Sequence, residues 1–432
     1  NRTNGLRADL AQTIADLKPK FMRFPGGCLV HGDGVGNMYR WKNTIGLVEQ
    51  RVAQKNIWGY HQTAGLGYFE YFQFCEDMGA KPLPVVPAGV SCQNSGGTWR
   101  IGGTGQKGIQ MNEMPEYIQE ILDLIEWANG PVTSTWGAKR AAAGHPKPFH
   151  LEYVGIGNED KITPEFKERF KMIYDVVKAK HPEITVIGTV GPAPKGEDFE
   201  LGWKFANKEN VPMVDEHYYM KPEWFLANQK RYDAYDRSKS KVYLGEYASQ
   251  GNTLFNAIAE AAYMTSLERN GDVVRLTSYA PLLAKAKHTQ WNPDLIYFNN
   301  TTIYRTPNYY VQQLFSTNEG DVYHSNVVAP ATNKADTALA LSCVRNSKTG
   351  DVIIKLVNSA KVEKAFKVNL SQFKGIGTKA TVSILAGEAD AKNSFETPDK
   401  VKPVTSDFKA ARNFTYTVQP MSLTVISVKA KK

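Results

Sequence analysis

The sequence predicts a (β/α)8 barrel followed by a C-terminal antiparallel β-sandwich. In the first three-quarters of the 432 residues, short apolar runs alternate with amphipathic segments, and seven of these runs are strand candidates. Repeated strand–helix–strand units imply parallel strands with right-handed crossovers, and this number of strands favours a barrel over an open sheet. From about Tyr309, alternating runs separated by Gly, Asn and Lys turns are typical of a sandwich. We therefore expect a barrel over residues 1–308 and a jelly-roll-like sandwich over residues 309–432.

The predicted barrel elements follow one another in a regular order along the chain. Apolar residues at helical spacing separate the strand candidates, as in the stripe of Leu66, Phe69, Phe72 and Cys75 that Gly79 ends. Further helices are predicted around Ile118–Ile125, after the N-cap Thr163, and at Leu254–Arg269. The predicted strands are Phe21–Phe24, Leu83–Val86, Leu151–Gly157, Ile184–Val190, Met213–Tyr219, Val242–Tyr247 and Val273–Ser278.

Composition excludes several classes of protein. Hydrophobic residues make up 42% of the chain and aromatic residues 11%, which indicates a globular protein with a large core. The sequence has no apolar run long enough to span a membrane. The net charge of +9 is spread over scattered lysines and arginines, so nucleic-acid binding is not expected, whereas an acidic polysaccharide fits the charge equally well.

Metal and nucleotide sites are not predicted either. Cys28 and His31 have half of a metal-binding spacing, but no second pair completes it. The segment "GDGVGN" lacks the spacing of a dinucleotide-binding loop, and no helix start follows it. We therefore expect no metal and no organic cofactor.

Two glutamates follow apolar strands at the positions where a barrel builds its active site. Glu159 comes after "YVGIGN" and Glu246 after "KVYLG". Either residue alone has an ordinary alternative as a solvated residue at a strand end. Two of them together favour a retaining glycosidase, in which one carboxyl protonates the leaving oxygen while another, about 5 Å away, attacks the anomeric carbon.

Polar and aromatic residues near the strand ends complete the candidate site. Asn158 is placed to bind a sugar hydroxyl, and His217 and Tyr219 alternate along one strand so that both face the same side. Arg23 is a candidate for holding the nucleophile anionic, with a salt bridge in the barrel floor as the alternative. Trp58 is suited to stacking on a sugar face, with core packing as its alternative.

The chain resembles the α-L-arabinofuranosidases of glycoside hydrolase family 51. The resemblance covers nearly the whole length and rests on "RFPGGC", "RWKNTIG", "WGYHQTAGLGYFEYFQFCEDMGAKPLPV", "YVGIGNED", "HYY", "LGEYA", "SYAPLL" and "QPMSLTVISV" in this order. It implies a catalytic (β/α)8 barrel with a C-terminal sandwich, and a retaining enzyme that releases terminal arabinofuranosyl groups from arabinose-containing polysaccharides or oligosaccharides.

The resemblance also assigns roles to individual residues. Glu159 in "GNE" matches the family's acid/base and Glu246 in "GEY" its nucleophile. The remaining matched positions are substrate-binding: Asn158 near the scissile bond, Cys28 and Trp58 in the arabinose pocket, His217 and Tyr219 close to the nucleophile, and Trp291 and Asn292 in the loop after the last strand.

Two departures from the family pattern qualify these expectations. The family begins its barrel with a strand upstream of "NGLR", so we expect that strand to lie outside this chain. His31 stands where many relatives have an acidic residue.

Two alternatives stay open. One is a retaining endoglucanase or β-xylosidase on the same barrel, and the other is a catalytically impaired carbohydrate-binding fragment. The resemblance and the sequon at Asn413 favour a secreted or periplasmic protein. The sequence does not predict an oligomeric state.

Overall fold

A computed structural model describes residues 5–101, 103–332 and 336–430. Within these ranges, a seven-stranded sheet has its strands in the order of the chain. The first five strands pair in parallel, with Arg23 beside Leu83 and Val85 beside Gly155. All seven predicted barrel strands are therefore confirmed. The strands are β1 (Phe21–Phe24), β2 (Lys81–Val86), β3 (Tyr153–Ile156), β4 (Thr185–Thr189), β5 (Met213–Met220), β6 (Lys241–Ser249) and β7 (Val274–Tyr279).

Helices connect successive strands, as the hydrophobic periodicity predicts. The helix after β3 shows why: the Thr163 hydroxyl accepts from the Phe166 N–H, Pro164 takes the first helical position, and Phe166, Phe170 and Ile173 are buried. The helices are α1 (Ala8–Ala15), α2 (Cys28–His31), α3 (Tyr68–Met78), α4 (Met114–Asn129), α5 (Thr135–Ala142), α6 (Pro164–Lys180), α7 (Glu197–Glu209), α8 (Pro222–Ala227), α9 (Leu254–Arg269) and α10 (Pro307–Thr317). None of the helices in the described residues is long and apolar enough to cross a membrane.

The C-terminal part consists of antiparallel sheets, as predicted. A six-stranded sheet has the order β11-β13-β14-β19-β16-β17, and a three-stranded sheet has the order β12-β15-β18. Val352, Leu356, Phe366 and Ile426 belong to their common buried core. The strands are β11 (Val322–Tyr323), β12 (Val328–Pro330), β13 (Leu339–Arg345), β14 (Val352–Asn358), β15 (Lys364–Asn369), β16 (Lys379–Ala386), β17 (Val404–Lys409), β18 (Asn413–Val418) and β19 (Ser422–Val428). Before them, β8 (Leu283–Lys285), β9 (Ile296–Phe298) and β10 (Ile303–Arg305) form a small separate sheet.

One local expectation differs from the structure. Strand-like texture is predicted from about Tyr309, whereas this residue lies in α10. The helix begins because the Thr306 hydroxyl accepts from the Tyr309 N–H and Pro307 occupies the first turn.

The chain forms two compact units by its internal contacts. The first consists mainly of Pro19–Tyr218 and Arg237–Gly245. The second holds Arg7–Lys18, Tyr219–Asp236 and the residues from Glu246 onward.

Candidate active site

A strained turn at the end of β3 presents Glu159. Gly157 has a φ of 89°, and Glu159 has a φ of 53° in the left-handed region that side chains other than glycine rarely adopt. Between them, the Asn158 N–H donates to Asp160 Oδ2 over 2.9 Å. This bond fixes the turn, and strain of this kind is common where a fold holds a reacting group in place.

The Glu159 carboxyl contacts a buried imidazole and a thiol. His217 Nδ1 lies 2.9 Å from Glu159 Oε1, and Cys28 Sγ lies 3.7 Å from Glu159 Oε2. A proton has to lie between Nδ1 and Oε1 for this hydrogen bond, and either the imidazole or the carboxyl group donates it. The contact therefore gives Glu159 a partner with which it can share a proton.

A second carboxylate supports His217 from its other side. His217 Nε2 lies 3.0 Å from Asp215 Oδ2. The Asp215 carboxylate packs directly against Gly245 of β6. Any larger residue at position 245 would clash, because its Cβ atom would lie 2.0 Å from Asp215 Oδ1. Asp215 is missing from the sequence prediction. It could have been found from its position two residues before His217 in β5, because alternate residues of a strand face the same side.

Arg23 joins the same buried group of side chains. Its guanidinium donates to Asn158 Oδ1 and lies 3.6 Å from Asp215 Oδ2. Both Arg23 and Asp215 have side chains less than a tenth exposed. The contact with Asp215 agrees with the buried salt bridge considered for Arg23, while its predicted effect on the nucleophile stays a prediction.

His31 and Asp160 lie beneath the Glu159 turn and are also absent from the predicted site. His31 is fully buried, and its Nδ1 lies 2.7 Å from the Val90 carbonyl oxygen. Burial lowers the pKa of His31 to about 4 and raises the pKa of Asp160 well above its ordinary value. His31 is therefore neutral at neutral pH, and burial favours the protonated form of Asp160, whose Oδ1 lies 3.5 Å from His31 Nε2.

The second unit holds Glu246 and its partners. The Tyr219 hydroxyl donates to Glu246 Oε2 over 2.7 Å. The Trp291 ring packs edge-to-face on Tyr219 with the ring centroids 5.0 Å apart. Asn292, next to this tryptophan, accepts from the Tyr297 hydroxyl over 2.9 Å. Four of the predicted residues are thus connected, three by direct contact and Asn292 through its neighbour.

Trp58 lies in a loop of the first unit. Its side chain is 39% exposed, which favours the predicted stacking on a sugar face over the alternative of core packing. Its neighbour Ile57 forms a small buried cluster with Cys28 and Cys92. All four cysteines are buried free thiols.

Comparison with known proteins agrees with the predicted resemblance. The model of the "Alpha-L-arabinofuranosidase 1 domain" matches residues 13–237, and that of the "Alpha-L-arabinofuranosidase C-terminal domain" matches residues 231–422. The chain belongs to the α-L-arabinofuranosidases of glycoside hydrolase family 51. The predicted family is therefore confirmed.

Relatives in this family differ in how much of their length the chain covers. An extracellular exo-α-L-arabinofuranosidase of Streptomyces chartreusis is 51% identical over 74% of this chain, which covers 39% of that protein. The α-L-arabinofuranosidase 2 of Arabidopsis thaliana is 35% identical over 93% of this chain, which covers 57% of that protein. The chain thus spans roughly half the length of these curated relatives.

Solved structures of the family have the same fold. The arabinose-bound MgGH51 α-L-arabinofuranosidase aligns with 100% of this chain and 68% of its own, with a TM-score of 0.87 and 32% identity. The α-L-arabinofuranosidase of Thermotoga maritima aligns with 99% of this chain and 91% of its own, with a TM-score of 0.74 and 20% identity. The predicted barrel with a C-terminal β-sandwich is confirmed.

Proposed function

We propose that this chain hydrolyses terminal α-L-arabinofuranosyl groups with retention of anomeric configuration. The observation that carries the proposal is that strand β5 provides one partner for each candidate glutamate. His217 contacts the Glu159 carboxyl and Tyr219 contacts the Glu246 carboxyl. A double displacement needs two carboxyl groups with different surroundings, one to exchange a proton and one to attack carbon.

Glu159 acts as the acid and then as the base. In the first step its proton passes to the glycosidic oxygen as the bond from that oxygen to the anomeric carbon breaks. In the second step the Glu159 carboxylate takes a proton from water, and the water oxygen bonds to the anomeric carbon. The hydrogen bond to His217 supports this exchange, because the imidazole accepts or donates as Glu159 changes its charge.

Glu246 acts as the nucleophile. Its carboxylate bonds to the anomeric carbon as the leaving group departs, and the resulting glycosyl ester is broken when water attacks. The Tyr219 hydroxyl supports this role, since its hydrogen bond stabilises the ionised form of the carboxylate. Arg23, Cys28, Trp58, Asn158, Trp291 and Asn292 are proposed to bind the substrate around the two glutamates.

The substrate is proposed to be an arabinose-containing polysaccharide or oligosaccharide encountered outside the cell. The relative from Streptomyces is described as extracellular, and the sequon residue Asn413 is exposed on β18. We further propose residues 1–308 as the catalytic barrel and residues 309–432 as the sandwich.

Hydrolysis of p-nitrophenyl α-L-arabinofuranoside tests the proposal directly. The chain should release p-nitrophenol, and nuclear magnetic resonance of the early product should show the α-anomer first. Inversion would contradict the double displacement. Hydrolysis of β-xylosides or β-glucans in place of the arabinoside would favour the endoglucanase or β-xylosidase alternative, and sugar binding without turnover would favour the impaired fragment.

Variants separate the two glutamate roles. Glu246→Ala should abolish turnover, whereas Glu159→Ala should slow natural substrates far more than activated aryl glycosides in the glycosylation step. Sodium azide should restore turnover of the aryl glycoside by Glu159→Ala, because the anion replaces water without needing a base. Glu363→Ala, at an exposed position of the sandwich, is the matched control. Equal losses on both kinds of substrate in the glycosylation step would contradict the assignment of Glu159 as the acid.

A further inference from the structure

We propose that Trp99 forms, with the exposed part of the arabinose-pocket residue Trp58, a binding surface for the sugar residues on the leaving-group side of the scissile bond. The inference rests on the proposed function and extends it from the terminal arabinose to the chain that carries it. The ligand class is a neutral oligosaccharide or polysaccharide, bound through the faces of its sugar rings.

Trp99 is exposed, yet it is held in place by several hydrogen bonds. Its side chain is 42% exposed, while its indole N–H donates to the Asn56 carbonyl oxygen over 2.6 Å. Its backbone N–H donates to the carboxylate of Asp33, which also accepts from the Arg100 N–H over 3.0 Å. Asp33 is fully buried. An exposed ring with a fixed position loses little entropy when a ligand stacks on it.

One buried residue ties Trp99 to Trp58. Asn56 accepts the Trp99 indole N–H at its main-chain oxygen and the Trp58 backbone N–H at Oδ1 over 2.9 Å. Its own side-chain amide donates to Gln62 Oε1 over 3.1 Å. A single residue, 6% exposed, therefore holds both tryptophans.

The surface lies on the side of the acid/base. Ile57, between Asn56 and Trp58 in the chain, packs with Cys28 and Cys92, and Cys28 Sγ is 3.7 Å from Glu159 Oε2. The general acid has to reach the oxygen of the leaving group, so sugars of the leaving group lie next to Glu159. Ile57 and Cys28 thus connect the segment that carries Trp58 to the Glu159 carboxyl.

The chemistry of the surface suits a sugar chain. Aromatic rings bind sugars through the apolar faces of the sugar rings, and Tyr60, 37% exposed, packs on Trp58 at 6.4 Å between ring centroids. The Lys55 ammonium group lies 5.1 Å from the centroid of the Trp99 ring and stabilises it by a cation–π contact. A run of exposed aromatic rings of this kind provides more than one stacking position.

Kinetics of Trp99→Ala on substrates of different size test the proposal. On an arabinotriose, kcat/KM should fall about tenfold, because stacking lost in the leaving-group region lowers transition-state binding. Inhibition by free arabinose, which reports the terminal-sugar pocket alone, should change less than twofold. A fall in kcat/KM below twofold on the arabinotriose would overturn the proposal.

Two further variants keep the result interpretable. Trp99→Phe retains an aromatic face and should recover most of the kcat/KM that Trp99→Ala loses. If only the indole hydrogen bond to Asn56 matters, both variants will have the same low kcat/KM, and the stacking role is overturned. Leu47→Ala removes an exposed apolar side chain elsewhere in the first unit and is the control with unchanged kinetics. If the unmodified chain binds arabinose but turns over no arabinoside, the proposed function fails, and titration of arabinotriose into the wild-type chain and Trp99→Ala still tests the surface.

Discussion

The hydroxyl group of Tyr219 and the carboxylate of Glu246 are joined by a hydrogen bond of 2.7 Å. A phenol that donates to a carboxylate stabilises the ionised form, which a nucleophile needs, and also fixes which oxygen is left to attack. The edge-to-face packing of Trp291 on Tyr219 restricts the phenol ring in turn. Glu246 is thus oriented from β5 and from the loop that carries Trp291.

Tyr219→Phe should lower kcat on aryl arabinofuranosides by about ten- to a hundredfold, the equivalent of one hydrogen bond to a charged group. The ring and its packing are retained, so the thermal midpoint should change little. Tyr174→Phe removes a hydroxyl that donates to the Asn210 carbonyl oxygen over 2.8 Å in another part of the chain and should leave kcat unchanged. Equal kinetics for both variants would remove Tyr219 from the proposed site.

Gly157→Ala should inactivate the protein and destabilise it by a few kcal/mol. The position combines a φ of 89° with a Cβ site only 2.3 Å from Asp160 Oδ2, so the substitution adds a clash to backbone strain. Gly144→Ala is the matched control, because its φ of 95° is similar and no atom lies within 4 Å of the added Cβ. Both variants carry the backbone strain but only Gly157→Ala carries the clash, so their free energies of unfolding and their kcat values separate the two effects. If Gly157→Ala has the same kcat as Gly144→Ala, this expectation is wrong.

Asp160→Asn and Asp160→Ala should differ sharply in activity. Burial raises the pKa of Asp160 well above its ordinary value, so the fold favours the uncharged form, which a neutral amide resembles. Asparagine retains an oxygen for the Asn158 N–H, whereas alanine leaves that buried donor without an acceptor. We expect near-normal kcat for Asp160→Asn and a loss of tenfold or more for Asp160→Ala, measured at the same pH. A similar loss in both variants would indicate that the charge of Asp160 is required.

Glu260 should make the protein less stable as the pH rises. The residue is fully buried in α9, and burial raises its pKa from 4.5 to about 8. The folded state therefore keeps a proton that the unfolded chain releases near pH 4.5, so the free energy of unfolding falls between these two values. The contribution is on the order of several kcal/mol.

Glu260→Gln tests this pH dependence. The Ser249 N–H and the Asn308 amide both donate to Glu260 Oε1, and glutamine can supply the same acceptor without ionising. Thermal midpoints of the variant should fall less between pH 5 and pH 8 than those of the wild-type chain. Glu363→Gln, at an exposed position, should retain the wild-type slope.

The hydrophobic pattern of the sequence is sufficient to predict the barrel, because two independent features indicate each strand. These features are the apolar run of the strand itself and the amphipathic helices on either side of it. It also places His217 and Tyr219 on one face of β5, since alternate residues of a strand face the same side. The sequence does not mark helix α10 clearly, because its aromatic and β-branched residues are equally common in strands, and its start depends on the single capping residue Thr306.

Contacts between distant residues set the limit of the sequence prediction. The contact of Cys28 with Glu159 joins residues 131 positions apart, and that of Arg23 with Asn158 joins residues 135 positions apart. No spacing rule decides which of several polar residues at neighbouring strand ends meet. Asn56 is missing for this reason, since its contact with the Trp99 indole joins residues 43 positions apart. Asp215 and Asp160 instead lie within two residues of the predicted site residues His217 and Asn158.

Side chains alternate between the two faces of β5, so one change in the length of this strand affects both glutamate contacts. His217 and Tyr219 are separated by one residue, so an insertion or deletion of a single codon upstream in the strand exchanges the face on which both side chains lie. Such a change removes the imidazole from Glu159 and the phenol from Glu246 at once. A change in the length of this strand therefore disrupts both glutamate contacts together. Only substitutions that leave the length of the strand unchanged can alter one contact and preserve the other.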